Sequence, residues 1–421
     1  MLNLIQHIQE FKLLKISAMK KRITLFVFAL LVGLSTVTQA QMAVQADTLY
    51  TMEGDKIVNG IVLITNDKIE AVGSASEIDI PSDYETHQAS VVTPGLVDAH
   101  SVVGLAGINN RDDDQNQLET SDPIQPELRA IDAYNAREQL VKFVLDKGVT
   151  TTHTGHGPGA LASGQTMIAK TPYNTVEDAL VDSATTVAFT LGSTVGRNFE
   201  SPGTSAKGIS MLRQKFIDAQ EYLEKRQADD PEKRPAKDLK MEALADVLSG
   251  ELTALITAQR SNDIMSALRL QEEFGFDMIL DGAAEAYLLI DEIKKAGVPV
   301  IIHPTMVRTY GDTQNASFTT AGKLAEAGIP FAFQSGFESY VPKTRIILYE
   351  AAIATGYGLN REKALHALTK APAEILGISN RVGSLAEGKD ADLVLFDGDP
   401  LEYTTHISSV IVDGKVVKEK K

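Results

Sequence analysis

Apolar and polar positions along the chain follow two different periods. Near both ends the apolar runs are short, rich in Val and Ile, and cut by turn residues. Residues 47–52, 60–65 and 68–72 read as strands separated at Glu53-Gly54-Asp55 and Asn66-Asp67, and 393–397, 407–412 and 415–417 repeat the pattern around a tight turn at Asp413-Gly414. Between these ends, strand-like runs alternate with helical spacing. Strands are predicted at 149–152, 252–257, 277–280, 298–302 and 329–333, and helices at 130–147, 205–226, 264–274, 285–296 and 319–327. Gly148, Gly275, Gly297 and Gly328 stand where helices should stop. Segments 165–170 and 185–191 also read as strands, without an assigned order, and the charged, proline-containing stretch 229–238 reads as an exposed loop. Such alternation predicts a parallel α/β architecture. A doubly wound open sheet is the rival, but no Gly-x-Gly-x-x-Gly follows any strand.

The first 40 residues carry a different signal. Lys20, Lys21 and Arg22 precede an apolar run over 23–34, and Thr38-Gln39-Ala40 offers small residues around a cleavage point. This is the pattern of a secretory signal peptide over 1–40, with Met19 a candidate start. The run falls short of the roughly 20 apolar residues of a comfortable span, with a retained anchor as the alternative. The expectation is an exported chain, periplasmic or secreted, with no membrane association after cleavage. At 421 residues, 43% hydrophobic and 23% charged, the chain has room for a barrel and a smaller second domain. A formal net charge of −16 argues against nucleic acid as a partner. With no cysteine there is no disulfide, thiolate ligand or cysteine nucleophile, so a metal site must come from His, Asp, Glu or a modified Lys.

The chemistry centres on Val91-Val92-Thr93-Pro94-Gly95-Leu96-Val97-Asp98-Ala99-His100-Ser101-Val102-Val103-Gly104. The Pro94-Gly95 turn launches a buried strand that ends at Asp98 and His100. His153, His156 and His303 fall at or just past the ends of other predicted strands. A parallel barrel gathers its strand ends at one face, whatever their separation in sequence. Imidazole suits zinc and other divalent ions, and three such ligands leave a position open for water. His7, His87, His366 and His406 lie elsewhere and receive no role.

Pro94-Gly95-Leu96-Val97-Asp98-Ala99-His100 resembles the first barrel strand of the amidohydrolase superfamily, in particular imidazolonepropionase-like members. The run Gly383-x-Leu385-x-x-Gly388-Lys389-Asp390-Ala391-Asp392-Leu393-Val394 is similar to their C-terminal signature. The resemblance implies an α/β fold: a (β/α)8 TIM-like barrel over 91–379, with a small composite β-sandwich from 43–90 and 380–421. It also implies a hydrolase of non-peptide carbon–nitrogen bonds with a divalent metal, zinc foremost. Such relatives carry His-x-His on strand one, a carboxylated Lys or a Glu near strand three or four, His on strands five and six, and Asp on strand eight. This chain has His100-Ser101-Val102 on strand one and Thr257-Ala258-Gln259 at the end of strand five. Strand six ends Leu280-Asp281-Gly282 and strand eight Phe333-Gln334-Ser335-Gly336, so only His100 carries over.

Two readings follow. In the first, a rebuilt mononuclear site uses His100, His153, His156 and His303, or three of them. A metal-bound water attacks an amide or cyclic amide of a small-molecule substrate, with Asp281 accepting the proton. In the second, the barrel is catalytically inactive and serves as a binding or regulatory subunit, in a hetero-oligomer with an active relative; a homo-oligomer is equally open. Lys170 is either the modified lysine or a salt-bridged one. The glycine-rich loop 152–160 either approaches a ligand or is a wide turn, and the acidic loop 109–119 either reads a substrate or is solvated.

Overall fold

The computed structural model describes residues 41–109, 111–337 and 344–419; the leader expected over 1–40 lies outside them. Among the described residues, seventeen strands follow in chain order. The first four are β1 (Gln41–Leu49), β2 (Ile57–Thr65), β3 (Lys68–Ser74) and β4 (Glu85–Pro94). The middle of the chain supplies β5 (Leu96–Ser101), β6 (Val149–Thr154), β7 (Ala162–Gln165), β8 (Met167–Lys170), β9 (Leu180–Asp182) and β10 (Thr186–Thr190). After these come β11 (Thr253–Ala258), β12 (Met278–Gly282), β13 (Val300–Ile302), β14 (Phe331–Phe333), β15 (Leu393–Phe396), β16 (Ile407–Val412) and β17 (Lys415–Glu419).

Both termini build one seven-stranded sheet, ordered β17-β16-β15-β4-β1-β2-β3. Val44, Ile64, Val92, Leu393 and Ile411 pack on one of its faces, and Ala43, Ile61 and Leu63 form a second small core with Tyr84. The turns at Asn66 and Asp413 have φ of 58° and 47°, the left-handed backbone of a tight hairpin. Since β4 runs on to Pro94, the terminal sheet ends at the Pro94-Gly95 turn and not at residue 91.

The remaining strands form two sheets, β14-β13-β12-β11-β10-β7 and β5-β6-β8-β9. β5 and β6 are parallel, as are β10 through β14. The expected all-parallel order fails at three pairings: β7 runs antiparallel to β10, and β8 antiparallel to β6 and β9. Consecutive strands β6 and β7 do not pair with each other but lie in different sheets, β8 on β6 and β7 on β10. β14 and β5 meet at a single bridge, Gly336 to Ser101, so the ladder is interrupted there and the barrel is not closed by continuous pairing.

The side-chain period of two sets the barrel's interior. Val97, Ile168, Ala188, Leu255, Ile279, Ile301 and Ala332 pack into one apolar cluster. Two residues further along β10 to β14, and on the same side, stand Thr190, Thr257, Asp281, His303 and Gln334, all buried. A polar layer therefore caps an apolar one at the C-terminal strand ends. On the outer side, Phe189, Ile256, Leu280 and Phe333 pack with helix residues such as Leu212, Phe216 and Leu268. Each such fully buried side chain stabilises the fold by about 1.5–3 kcal/mol.

The helix Ser205–Arg226 matches the expectation and is capped by Thr204, whose hydroxyl accepts from the Lys207 amide. Gly275, Gly297 and Gly328 end their helices with φ near 70–75°, where any other residue would be strained. The helix expected over 130–147 is shorter. A 3-10 turn covers Ala130–Asp132, and the α-helix is Gln139–Leu145, started by Glu138, whose carboxylate accepts from the Leu140 amide at 2.5 Å. Lys170, at the end of β8, is the salt-bridged lysine. Buried, it pairs with Asp390 at 2.8 Å, Asp392 at 3.2 Å and also Asp413, joining the barrel to the terminal sheet.

Candidate functional site

The polar layer is built around Asp281 on β12. Its Oδ1 accepts from His100 Nδ1 at 3.0 Å and Gln334 Nε2 at 2.8 Å, while Oδ2 accepts from the Thr257 hydroxyl at 2.5 Å. Gln334 is orientated by two acceptors, since its amide nitrogen also lies 3.4 Å from the Ile301 carbonyl. Burial would raise the Asp281 pKa, but the His100 ring and these donors hold it below the usual carboxylate value. Burial would likewise lower the His100 pKa, and the carboxylates of Asp281 and Asp98 raise it instead. The two side chains thus form a buried ion pair linking β5 to β12. Asp98, also on β5, accepts the Ser335 amide at 2.9 Å and ties that strand to the end of β14. Burial pushes its carboxyl up to about 6, against the opposing effect of that bond.

The other three histidines have different surroundings. His153 lies beside His100, ring centroids 5.8 Å apart, with its Nδ1 donating to the Ala99 carbonyl at 2.6 Å. Its Nε2 therefore accepts, from the Thr166 hydroxyl at 2.7 Å, and burial keeps the ring neutral with a pKa of about 3. His303 donates from Nδ1 to the Pro304 carbonyl at 2.7 Å, leaving the Nε2 lone pair without a partner. Burial lowers its pKa, so it too is neutral. His156 is buried against Gly164, where an added Cβ would stand 2.4 Å from the ring, and neither of its nitrogens has a partner.

The structure does not bring the four expected histidines together as one set of ligands. Among the described residues, no group of three or more His, Asp or Glu side chains is arranged to hold a metal ion. His100 faces Asp281 directly, and both ring nitrogens of His153 are taken by protein groups. On strands five, six and eight, where the superfamily resemblance implies His, His and Asp, the inward groups are Thr257, Asp281 and Gln334, and they bond one another. The residues present do not fit the implied metal. Thr257 and Gln334 are site residues that sequence reasoning missed; their signal was the two-residue step from Leu255 and Ala332.

A cavity of about 180 Å³ opens over this layer, lined by Thr257, Asp281, His303 and Gln334, with Arg308 and Tyr310 from the loop after β13 on its wall. A larger, mainly apolar cavity of about 950 Å³ lies at the opposite end, against Pro299 and Pro330, which precede β13 and β14. Barrel chemistry belongs to the C-terminal strand ends, so the smaller cavity is the candidate site. The acidic loop is held internally by Arg111 bonded to Asp113 at 2.8 Å, and Gln117 in the same loop accepts the Gly157 amide at 2.7 Å. Its charged groups are absent from the cavity lining.

Comparison with known proteins agrees with this architecture. The family described as "Amidohydrolase family" matches residues 130–418. Amidohydrolase tasK of Hapsidospora irregularis is 26% identical over 397 residues, covering 86% of this chain and 39% of that protein. An imidazolonepropionase of Thermoplasma acidophilum is 27% identical over 128 residues, 29% of this chain and 30% of that one. The chain thus spans well under half the length of these curated relatives. Among solved structures, an amidohydrolase from Thermotoga maritima MSB8 superposes with a TM-score of 0.84 at 28% identity, over 90% of this chain and all of that one. An adenosine deaminase from Xanthomonas campestris with bound zinc shares the fold at a TM-score of 0.52 and 16% identity, over 90% of this chain and 92% of that one. The chain belongs to the amidohydrolase family.

Proposed function

We propose that this chain hydrolyses a non-peptide carbon–nitrogen bond, of the amide or cyclic amide type, in a small molecule held at the barrel mouth. The observation that carries the proposal is the pairing of a neutral histidine with a free lone pair, His303, and an ionised carboxylate, Asp281, in the lining of one cavity. His303 Nε2 takes a proton from water as its oxygen attacks the carbonyl carbon, then returns it to the departing nitrogen. His100, with Thr257 and Gln334, keeps Asp281 ionised and fixed. A cavity of about 180 Å³ is below the usual range of ~300–1,000 Å³, which favours a compact substrate such as a single ring.

The test is a screen of cyclic amides, dipeptides and lactones with the full chain, followed by His303→Gln on any substrate found. The expected outcome is a fall in kcat of roughly 10²- to 10⁴-fold with folding unchanged. Unchanged turnover in that variant would remove His303 from the mechanism. The second reading, a binding or regulatory subunit beside an active relative, is favoured by the mutual bonding of Thr257, Asp281 and Gln334. It predicts no turnover of any compound that binds. Export after removal of residues 1–40 is part of the proposal, and N-terminal sequencing of the mature protein should begin near Gln41; Met1 or Met19 at that terminus would count against it.

A further inference from the structure

We infer that this barrel holds no metal ion at its strand ends: the His100–Asp281 pair, closed by Thr257 and Gln334, fills the place that a metal would take. The inference is independent of whether the cavity hydrolyses its ligand or only binds it.

Lone-pair bookkeeping carries the argument. Asp281 has three protein donors on its two oxygens: the His100 ring nitrogen at 3.0 Å, the Gln334 amide at 2.8 Å and the Thr257 hydroxyl at 2.5 Å. These donors take three of the roughly four lone-pair sites of the carboxylate, and the two N–H groups on Oδ1 close that oxygen to a cation. His153 offers nothing, because one nitrogen donates to Ala99 and the other already accepts from Thr166. Gln334 presents an N–H to the centre and is kept in that sense by the Ile301 carbonyl, so it meets a cation with a donor. The unpartnered imidazole nitrogens near the strand ends are Nε2 of His100, Nε2 of His303 and both nitrogens of His156. Among the described residues no three His, Asp or Glu side chains are arranged to hold an ion, which falls short of the three protein groups of a usual catalytic zinc site.

The experiment uses the full chain without a polyhistidine tag. Zinc, cobalt and manganese chlorides are titrated in turn by calorimetry, and the histidine ring nitrogens are followed by ¹⁵N NMR. The expected result is no saturable stoichiometric heat, with the His100 ring signals unmoved by added metal. In Asp281→Asn, the pH at which His100 titrates should fall, because its carboxylate partner is gone. One ion bound per chain, with affinity reduced tenfold or more in His100→Gln, would overturn the inference. So would His100 signals that move with metal in the parent protein, a readout that needs no variant to fold. Weak binding unaltered by both His100→Gln and His303→Gln supports the inference, because it places the ion away from the strand ends; binding lost in His303→Gln would overturn it.

Discussion

His156 illustrates what one buried ring contributes. Burial holds its pKa at about 4 and that of His153 at about 3, against about 6.5 for an exposed imidazole. Both folded values are depressed, so the unfolded chain binds protons first on acidification. Their stabilising contribution is complete above about pH 6.5 and is lost as pH falls through that value toward the folded ones. Urea midpoints measured from pH 7.5 to 4 should therefore drop, and His156→Leu should flatten the slope between 6.5 and 4; parallel curves for the two proteins would refute this assignment. At this level the sequence showed much of the site. His100, Asp281 and His303 stood out because charge or an imidazole ended an apolar run. Thr257 and Gln334 did not, because an uncharged residue acquires meaning only when barrel register brings it to Asp281.

The segment from Ala162 to Lys170 departs most from the predicted pattern. Its composition reads as strand, but both pieces pair antiparallel, β7 with β10 and β8 with β6 and β9. Nothing in the apolar pattern fixes that direction. The helix expected over 130–147 failed for another reason: apolar spacing continues through residues 130–138, while Tyr134 packs against Gly104 and Glu138 caps a later start. At the far end of β8, Lys170 sits among Asp390, Asp392 and Asp413. Burial would raise the Asp390 pKa, but Lys170 and Lys68 bring it down to about 2. Its contribution to stability is present above the ordinary Asp value near 3.8 and is lost as pH falls toward 2. Lys170→Met leaves these carboxylates without their buried cation and should destabilise the protein by about 3–5 kcal/mol in denaturant titration. A loss below about 1 kcal/mol would mean that the contact between barrel and terminal sheet does not depend on it.

Across the whole chain, fold and chemistry diverge. The barrel survives because its inner apolar layer and outer helix-facing layer follow strand and helix periods that many sequences satisfy. Family membership could therefore be read from the Pro94–His100 and Gly383–Val394 segments. The polar layer depends on single positions, and here Thr257, Asp281 and Gln334 stand where the resemblance implies ligands. The combined result is a barrel whose strand ends are closed by its own hydrogen bonds. Elemental analysis of the full chain, purified without chelators and without a polyhistidine tag, tests that closure. The structure predicts far less than one zinc, manganese or iron per chain. One tightly held ion per chain, lost on His100→Ala, would contradict it.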